Sequence, residues 1–116
     1  MTLTLLLAFL LAAVALLLID WRQTLTIFRR GRRELNPVIR WAYARWGRRG
    51  VDGYFAAWVA VTVLLAMALR ETAALLSWTF GGIPLVWEAL LIAAIAAIAV
   101  IELIVVVRNH RRGIRA

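Results

Sequence analysis

Three long apolar stretches constrain this chain more than any other feature, because each is about as long as a bilayer is thick. They cover residues 2–20, 54–76 and 85–107, and residues 2–19 carry no charge. As a helix, those 18 residues would cover about 27 Å, close to a hydrocarbon core of about 30 Å. With 65% hydrophobic residues, we predict an all-α, three-span transmembrane helical bundle forming a single integral membrane domain over residues 1–116.

The first stretch has one alternative interpretation, a cleaved signal peptide. Such signals open with a basic region, and no basic residue precedes Thr2. Residues 13–15 (Ala-Val-Ala) resemble a cleavage site, but three more leucines follow them. We therefore expect an uncleaved span.

The arginines predict the orientation of these spans. Of 14 basic residues, nine lie in the linker at residues 20–53 and four in the tail at residues 108–116, whereas the turn at residues 77–84 has none. Positively charged segments stay on the cytoplasmic side of a membrane. We therefore expect a bacterial inner (cytoplasmic) membrane protein with its N-terminus outside and its C-terminus inside. The net charge of +8 then reflects orientation, and no nucleic-acid partner is expected.

The linker contains the signals of a short helix of its own. Asn36 is a good helix cap, Pro37 suits the first helical position, and Gly47 suits the end. Apolar side chains between them recur at helical spacing: Ile39, Ala42, Tyr43 and Trp46. This pattern predicts a cytoplasmic amphipathic helix in the membrane interface between spans 1 and 2, with that face towards lipid.

Anionic membrane lipids are the first partner that the linker predicts, because each basic residue near their headgroups adds about 1 kcal/mol of attraction. The arginines expected to contact headgroups are Arg29, Arg30, Arg32, Arg33, Arg40, Arg45, Arg48 and Arg49. Arginines interleaved with aromatic residues also occur in nucleic-acid-binding proteins. Here the aromatic residues follow an apolar helical face, which favours the lipid interpretation.

Polar residues near the inner membrane interface form a candidate network. Its members are Asp20, Thr24, Glu34, Asn36 and Glu102. Asp20 and Thr24 are four residues apart and share a helix face. We expect Asp20 to pair with Arg40 or an arginine of residues 29–33, and Glu102 to pair with a cytoplasmic arginine. Two alternatives remain open for the network, a packing and capping role or a ligand or ion site.

Charges inside the outer half of the bundle need partners as well, because an intramembrane charge costs about 2.5–3.5 kcal/mol. We predict a pair between Arg70 and Glu88 across the outer turn. Alanines recur at close-packing spacing and predict helix contacts within the bundle or between copies. They are Ala8, Ala12, Ala56, Ala60, Ala89, Ala93 and Ala97, and Ala96 and Ala99 flank this line in span three.

Three pieces of the linker together resemble a known family. The pieces are residues 20–24 (DWRQT), residues 34–37 (ELNP) and residues 50–55 (GVDGYF). In this order they look like a family of small uncharacterised multi-pass membrane proteins of phages and prophages, with a D-W-x-Q-T, E-x-N-P, V-D-x-Y-F pattern. The resemblance covers about a third of the chain. It implies a phage-associated membrane protein and carries no activity.

The sequence predicts no enzyme. It has no cysteine, one histidine (His110) and one serine (Ser77), and no glycine-rich phosphate loop. No metal or cofactor is expected. We predict a structural or accessory membrane protein that partners with itself, as a homo-oligomer, or with another membrane protein. The alternatives are a holin-like oligomeric pore, whose three-span topology this chain resembles, and a small ion-conducting, proton-conducting or ligand-binding membrane protein.

Overall fold

The computed structural model describes residues 2–80 and 84–114, and all regular secondary structure in these residues is helical. The side chains at positions 2, 3, 69, 72–80, 84–88 and 91 lie outside that description. Within these limits the helices are α1 (Thr2–Arg29), α2 (Pro37–Trp46), α3 (Arg48–Phe80) and α4 (Pro84–Arg111).

Three of these helices are long and apolar enough to cross a membrane, over Thr4–Arg29, Arg48–Ala68 and Ile92–Arg111 of the described residues. Their mean hydropathies are 2.4, 1.7 and 2.3, which is consistent with a membrane location. The predicted all-α fold, with three membrane-length helices and a short helix between the first two, is confirmed.

The helix ends follow local sequence signals. Asn36 caps α2 by accepting hydrogen bonds from the amides of Val38 and Ile39, and α2 stops at Gly47 as predicted. α1 continues well beyond residue 20, because no helix breaker occurs before Gly31. α3 begins at Arg48, before the predicted residue 54.

α1 and α4 run in the same direction, and α3 runs in the opposite one. Near the start of α1, Leu6 forms a buried cluster with Ala66 of α3 and Ile95 of α4. Near the end of α1, Gln23 donates a hydrogen bond to the carbonyl of Val106 in α4. α1 and α4 therefore finish together, where α3 begins. We call this the basic end of the bundle, since it carries the arginines of the linker and tail.

A second buried cluster fixes the linker helix at the basic end. Leu17 of α1, Ile39 of α2, and Val51 and Phe55 of α3 pack together with almost no exposed surface. α2 thus rests on the bundle through the side of the helix that carries Ile39. The prediction that this residue faces lipid was wrong.

The corner between α2 and α3 consists of one residue, Gly47, with φ 64° and ψ −145°. Residues with a Cβ rarely adopt this backbone conformation. The corner brings Gly50 against α2 so closely that a Cβ there would lie 2.2 Å from the carbonyl oxygen of Ala42. Two glycines therefore permit the sharp reversal of the chain.

Both parallel helices finish in a Schellman cap at the basic end. Gly31 follows α1 with φ 65°, and Gly113 follows α4 with φ 80°. The amides of Arg32 and Ile114 each return to the carbonyl five residues earlier, at 2.9 Å in both cases.

Arginine side chains join the two caps. Arg30 donates to the carbonyl of Gly113 at 3.4 Å, and Arg32 donates to that of Arg112 at 2.6 Å. In return, Arg112 donates to the carbonyl of Arg33 at 2.6 Å. Carbonyls at a helix C-terminus carry partial negative charge, so guanidinium donors stabilise them.

A buried amide cluster lies beneath these caps. Gln23 is 2% exposed and Asn109 is fully buried. The Gln23 side chain donates to the carbonyls of Val106 at 3.1 Å and Ile114 at 3.4 Å, and accepts from Asn109 at 3.3 Å. This cluster fixes the register of α1 against α4.

The alanines predicted to pack between helices are on the outside of the bundle. All seven are exposed: Ala8, Ala12, Ala56, Ala60, Ala89, Ala93 and Ala97. The alanines buried between the spans are Ala13 and Ala66, together with Ala99, which flanks the predicted line in span three. The expectation of close packing within the bundle was therefore wrong for the seven, whereas contact between copies stays a prediction.

Candidate functional site

A cavity of about 420 Å³ lies at the basic end, where the end of α1, the linker before α2, the start of α3 and the last part of α4 meet. Its polar lining comes from all of these segments: Asp20, Glu34, Asn36, Tyr54, Glu102 and Arg108. Three of these six side chains are carboxyl groups, so the cavity combines an acidic wall with a single arginine.

Asp20 and Glu102 join α1 to α4 across the cavity. Asp20 is 5% exposed, and its carboxyl group lies beside that of Glu102. Two carboxyl groups can hydrogen-bond to each other only when one carries a proton, because an ionised carboxylate only accepts. Thr24, fully buried behind Asp20, donates to its carboxyl oxygen at 3.4 Å.

The linker contributes Glu34 and Asn36 as a connected pair. Glu34 is 3% exposed, and its Oε1 atom accepts a hydrogen bond from the backbone N–H of Asn36 at 3.0 Å. The Asn36 side chain caps α2 through its oxygen and donates through its nitrogen to the Tyr54 hydroxyl at 3.1 Å. One asparagine thus starts α2 and ties it to α3.

Three buried polar atoms of the lining have no hydrogen-bond partner within the described structure. They are Oε2 of Glu34, Oε2 of Glu102 and Nε of Arg108. A buried polar atom without a partner costs about 1–3 kcal/mol, and more when it belongs to a charged group. Two acceptors and one donor on residues that line the cavity are therefore without a partner.

The remaining lining is apolar and reaches the outer surface of the bundle. Leu35, Trp58 and Ile101 line the cavity, yet they are 42%, 42% and 59% exposed. Ile98 and Val105 continue this wall along α4. The cavity is therefore polar inside and has an apolar mouth on the side of the bundle.

The three motif pieces of the linker meet around this site. The Trp21 indole donates to Asp52 at 2.8 Å and its ring stacks on Phe55, with centroids 6.0 Å apart, so residues 20–24 contact residues 50–55. The Asn36–Tyr54 hydrogen bond ties residues 34–37 to the same segment. The order of the pieces in the sequence thus corresponds to one spatial cluster.

The structure brings four members of the predicted network to the cavity wall, namely Asp20, Glu34, Asn36 and Glu102. The expectation of arginine partners for Asp20 and Glu102 was wrong within the described residues, because the two carboxyl groups lie beside each other and neither forms an ion pair with an arginine. Among the described residues, the ion pair found joins Arg48 to Asp52 at 3.6 Å, on the surface.

The arginines predicted to contact headgroups lie at the surface, with one exception. Arg29, Arg30, Arg32, Arg33, Arg45, Arg48 and Arg49 are exposed, and Arg40 is half-buried. Arg30 and Arg32 also hold the tail, as described above. The predicted Arg70–Glu88 pair falls outside the described residues, because the Glu88 side chain is not among them.

Sequence reasoning missed Tyr54, Arg108 and Gln23 as parts of this region. In the sequence, Tyr54 is explained as an interfacial aromatic residue and Arg108 as a charge that orients the chain. Neither interpretation indicates that the residue lines a cavity. Gln23 had a usable signal, since it is a polar residue inside the motif piece at residues 20–24.

Within the described part of the chain, no three His, Cys, Asp or Glu side chains are grouped so that they could hold a metal ion. Comparisons with protein-family models, with curated proteins and with solved structures found no match.

Proposed function

We propose that this chain is a small, non-enzymatic, multi-pass membrane protein with an accessory role, which it performs by binding a small polar ligand at the basic end. The observation that carries the proposal is the cavity of about 420 Å³, whose lining residues include two carboxyl oxygens and a guanidinium nitrogen that are buried without partners. Buried polar atoms in proteins almost always have partners, so three exceptions in one cavity favour an external one.

The proposed orientation puts the basic end on the cytoplasmic side of a bacterial inner membrane. The fold gathers the linker and tail arginines at one end, and positively charged segments remain cytoplasmic. The exposed arginines then contact anionic headgroups, and the motif resemblance supports a phage-associated setting. A second copy or another membrane protein would pack on the apolar outer faces. A periplasm-active reporter fused after Ala116 should be inactive, and an active fusion would refute this orientation.

Ligand binding can be tested by the reactivity of the cavity carboxyl groups. Dicyclohexylcarbodiimide, an apolar reagent, modifies carboxyl side chains inside membranes, and mass spectrometry locates the product. We would compare the full chain in native-membrane discs, which retain bound molecules, with the same protein after detergent washing. If the native ligand is present at ten times its dissociation constant, labelling of Glu34 and Glu102 is about tenfold slower before washing.

Glu71 provides the internal control, since its exposed side chain lies on α3 outside the cavity. Its labelling rate reports any general change in reagent access between discs and detergent. Equal rates at Glu34 and Glu102 before and after washing, once normalised to Glu71, would overturn the proposed function.

A further inference from the structure

Acidic and basic side chains lie at different places on the cavity wall, and the proposed function does not explain this distribution. Asp20, Glu34 and Glu102 present carboxyl groups, and Arg108 is the basic residue of the same lining. Glu102 and Arg108 are six residues apart on α4, about 9 Å along the helix axis. The cavity therefore combines hydrogen-bond acceptors with a cationic donor a short distance away along α4.

We propose that the cavity binds the zwitterionic headgroup of an aminophospholipid, a primary ammonium joined by two carbons to a phosphate, with the lipid chains leaving through the apolar mouth. This inference rests on the proposed function and names its ligand class. The ammonium lies against the acidic wall, and the phosphate lies against Arg108.

The acidic wall selects a primary ammonium. Glu34 lines the cavity and is 3% exposed, and its Oε2 atom is buried without a partner. Glu102 offers a second free oxygen, and Asp20 lies beside it. A primary ammonium carries three N–H donors and can satisfy these acceptors together, whereas a trimethylammonium group has no N–H to give.

Arg108 selects the phosphate. Its side chain lines the cavity, and its Nε atom is buried and without a partner in the described structure. Arginine binds phosphate in a planar, often bidentate geometry. A simple amine would satisfy the carboxylates but would leave this donor unused.

The apolar mouth favours a lipid over a soluble molecule with the same headgroup. Leu35, Trp58 and Ile101 line the cavity and are also strongly exposed on the side of the bundle. Acyl chains leaving there would lie along an apolar helix surface. About 420 Å³ suits a headgroup, and the chains remain in the bilayer.

The test reconstitutes the full chain in discs of phosphatidylcholine, alone or with part of it replaced by phosphatidylethanolamine or phosphatidylglycerol. We expect phosphatidylethanolamine to slow carbodiimide labelling of Glu34 and Glu102, and to remain bound in native mass spectrometry. Phosphatidylglycerol, and phosphatidylcholine alone, should do neither. Soluble phosphoethanolamine is added to a separate sample, and protection equal to that of the lipid would overturn the assignment to a membrane lipid.

Two variants check the contacts. Glu34→Gln keeps the oxygen that accepts from Asn36, and Arg108→Gln removes the guanidinium. A lost hydrogen bond to a charged group corresponds to roughly 10- to 100-fold weaker retention of phosphatidylethanolamine. Arg111→Gln is the matched control, because it removes the same charge from an exposed α4 position outside the cavity. Equal loss in Arg111→Gln and Arg108→Gln would contradict the proposed phosphate contact.

The failure of this inference is distinguishable from the failure of the proposed function. Protection of Glu34 and Glu102 in native-membrane discs, without protection by phosphatidylethanolamine, overturns the aminophospholipid and leaves a cavity that binds another molecule. Absence of protection in both kinds of disc overturns both proposals. The wild-type lipid comparison needs no variant, so it stands even if Arg108→Gln fails to fold.

Discussion

Replacing Gly50 with alanine should open the corner between α2 and α3, and Gly53 provides a matched control on the same helix. A Cβ at Gly50 would lie 2.2 Å from the Ala42 carbonyl oxygen and 2.8 Å from its carbonyl carbon. At Gly53 nothing lies within 4 Å of a new Cβ. The two substitutions are chemically identical, so their difference isolates the close approach of α3 to α2.

The expected magnitude follows from two opposing contributions. Alanine stabilises a helix interior by about 0.5–1 kcal/mol relative to glycine, and Gly53→Ala should show this gain alone. Gly50→Ala must also displace the backbone of Ala42 by several tenths of an ångström or more, and such overpacking costs about 1–3 kcal/mol or more. The free energies of unfolding should therefore differ by about 1–3 kcal/mol, roughly 5- to 150-fold in the unfolding equilibrium constant.

Unfolding in mixed micelles, titrated with sodium dodecyl sulfate and followed by tryptophan fluorescence, measures this difference. Limited trypsin digestion adds a local readout, because Arg45, Arg48 and Arg49 flank the corner. Gly50→Ala should unfold at lower detergent fraction and be cut faster there. If Gly50→Ala matches Gly53→Ala in both assays, the corner does not depend on this contact and the reasoning is wrong.

Three further substitutions test the contacts that hold the site together. Gln23→Leu leaves the buried Asn109 amide without its partner, so the protein should lose about 1–3 kcal/mol of stability in the same titration; an unchanged midpoint would contradict this. Asn36→Ala removes the α2 cap at a cost of about 1 kcal/mol, and hydrogen exchange in the first turn of α2 should quicken, whereas Asn36→Asp should keep it slow. Asp52→Ala removes the acceptor of the Trp21 indole, so the fluorescence of that residue should change in a variant whose other tryptophans are replaced, and Asp52→Asn should preserve it.

Local signals in the sequence predict the helix ends well. Asn36 and Gly47 bound α2 because their side-chain and backbone geometry acts within a few residues. The same holds for α1, which continues to Arg29 since no breaker precedes Gly31. Span length is equally local, because it depends only on the number of consecutive apolar residues.

The choice of helix face could not be predicted in the same way. Ala93 and Ala97 have the spacing of a packing face but point outwards, whereas Ala99 is buried. All three are small and apolar, so placing either face of such a helix against lipid has a similar free energy. The face is decided by distant partners, such as Leu6 against Ile95.

The candidate site likewise has a part that depends on neighbouring residues and a part that depends on distant contacts. The linker members Glu34 and Asn36 were predictable, because they lie in a short polar segment where capping requires them. The Asp20–Glu102 contact was not, because it depends on the register of α1 against α4. That register is set by the buried Gln23–Asn109 contact. The sequence around Gln23 does not indicate which residue of α4 is its partner.

The separation of Gln23 from its partners also matters for biosynthesis. Its hydrogen bonds reach residues 83, 86 and 91 positions later in the chain. While a ribosome is still producing α3, the newly inserted α1 carries an unsatisfied amide, and Asp20 has no carboxyl partner. In an apolar surrounding, such an unsatisfied amide is costly until α4 arrives. The contacts that fix α1 therefore form only after the last helix has been synthesised.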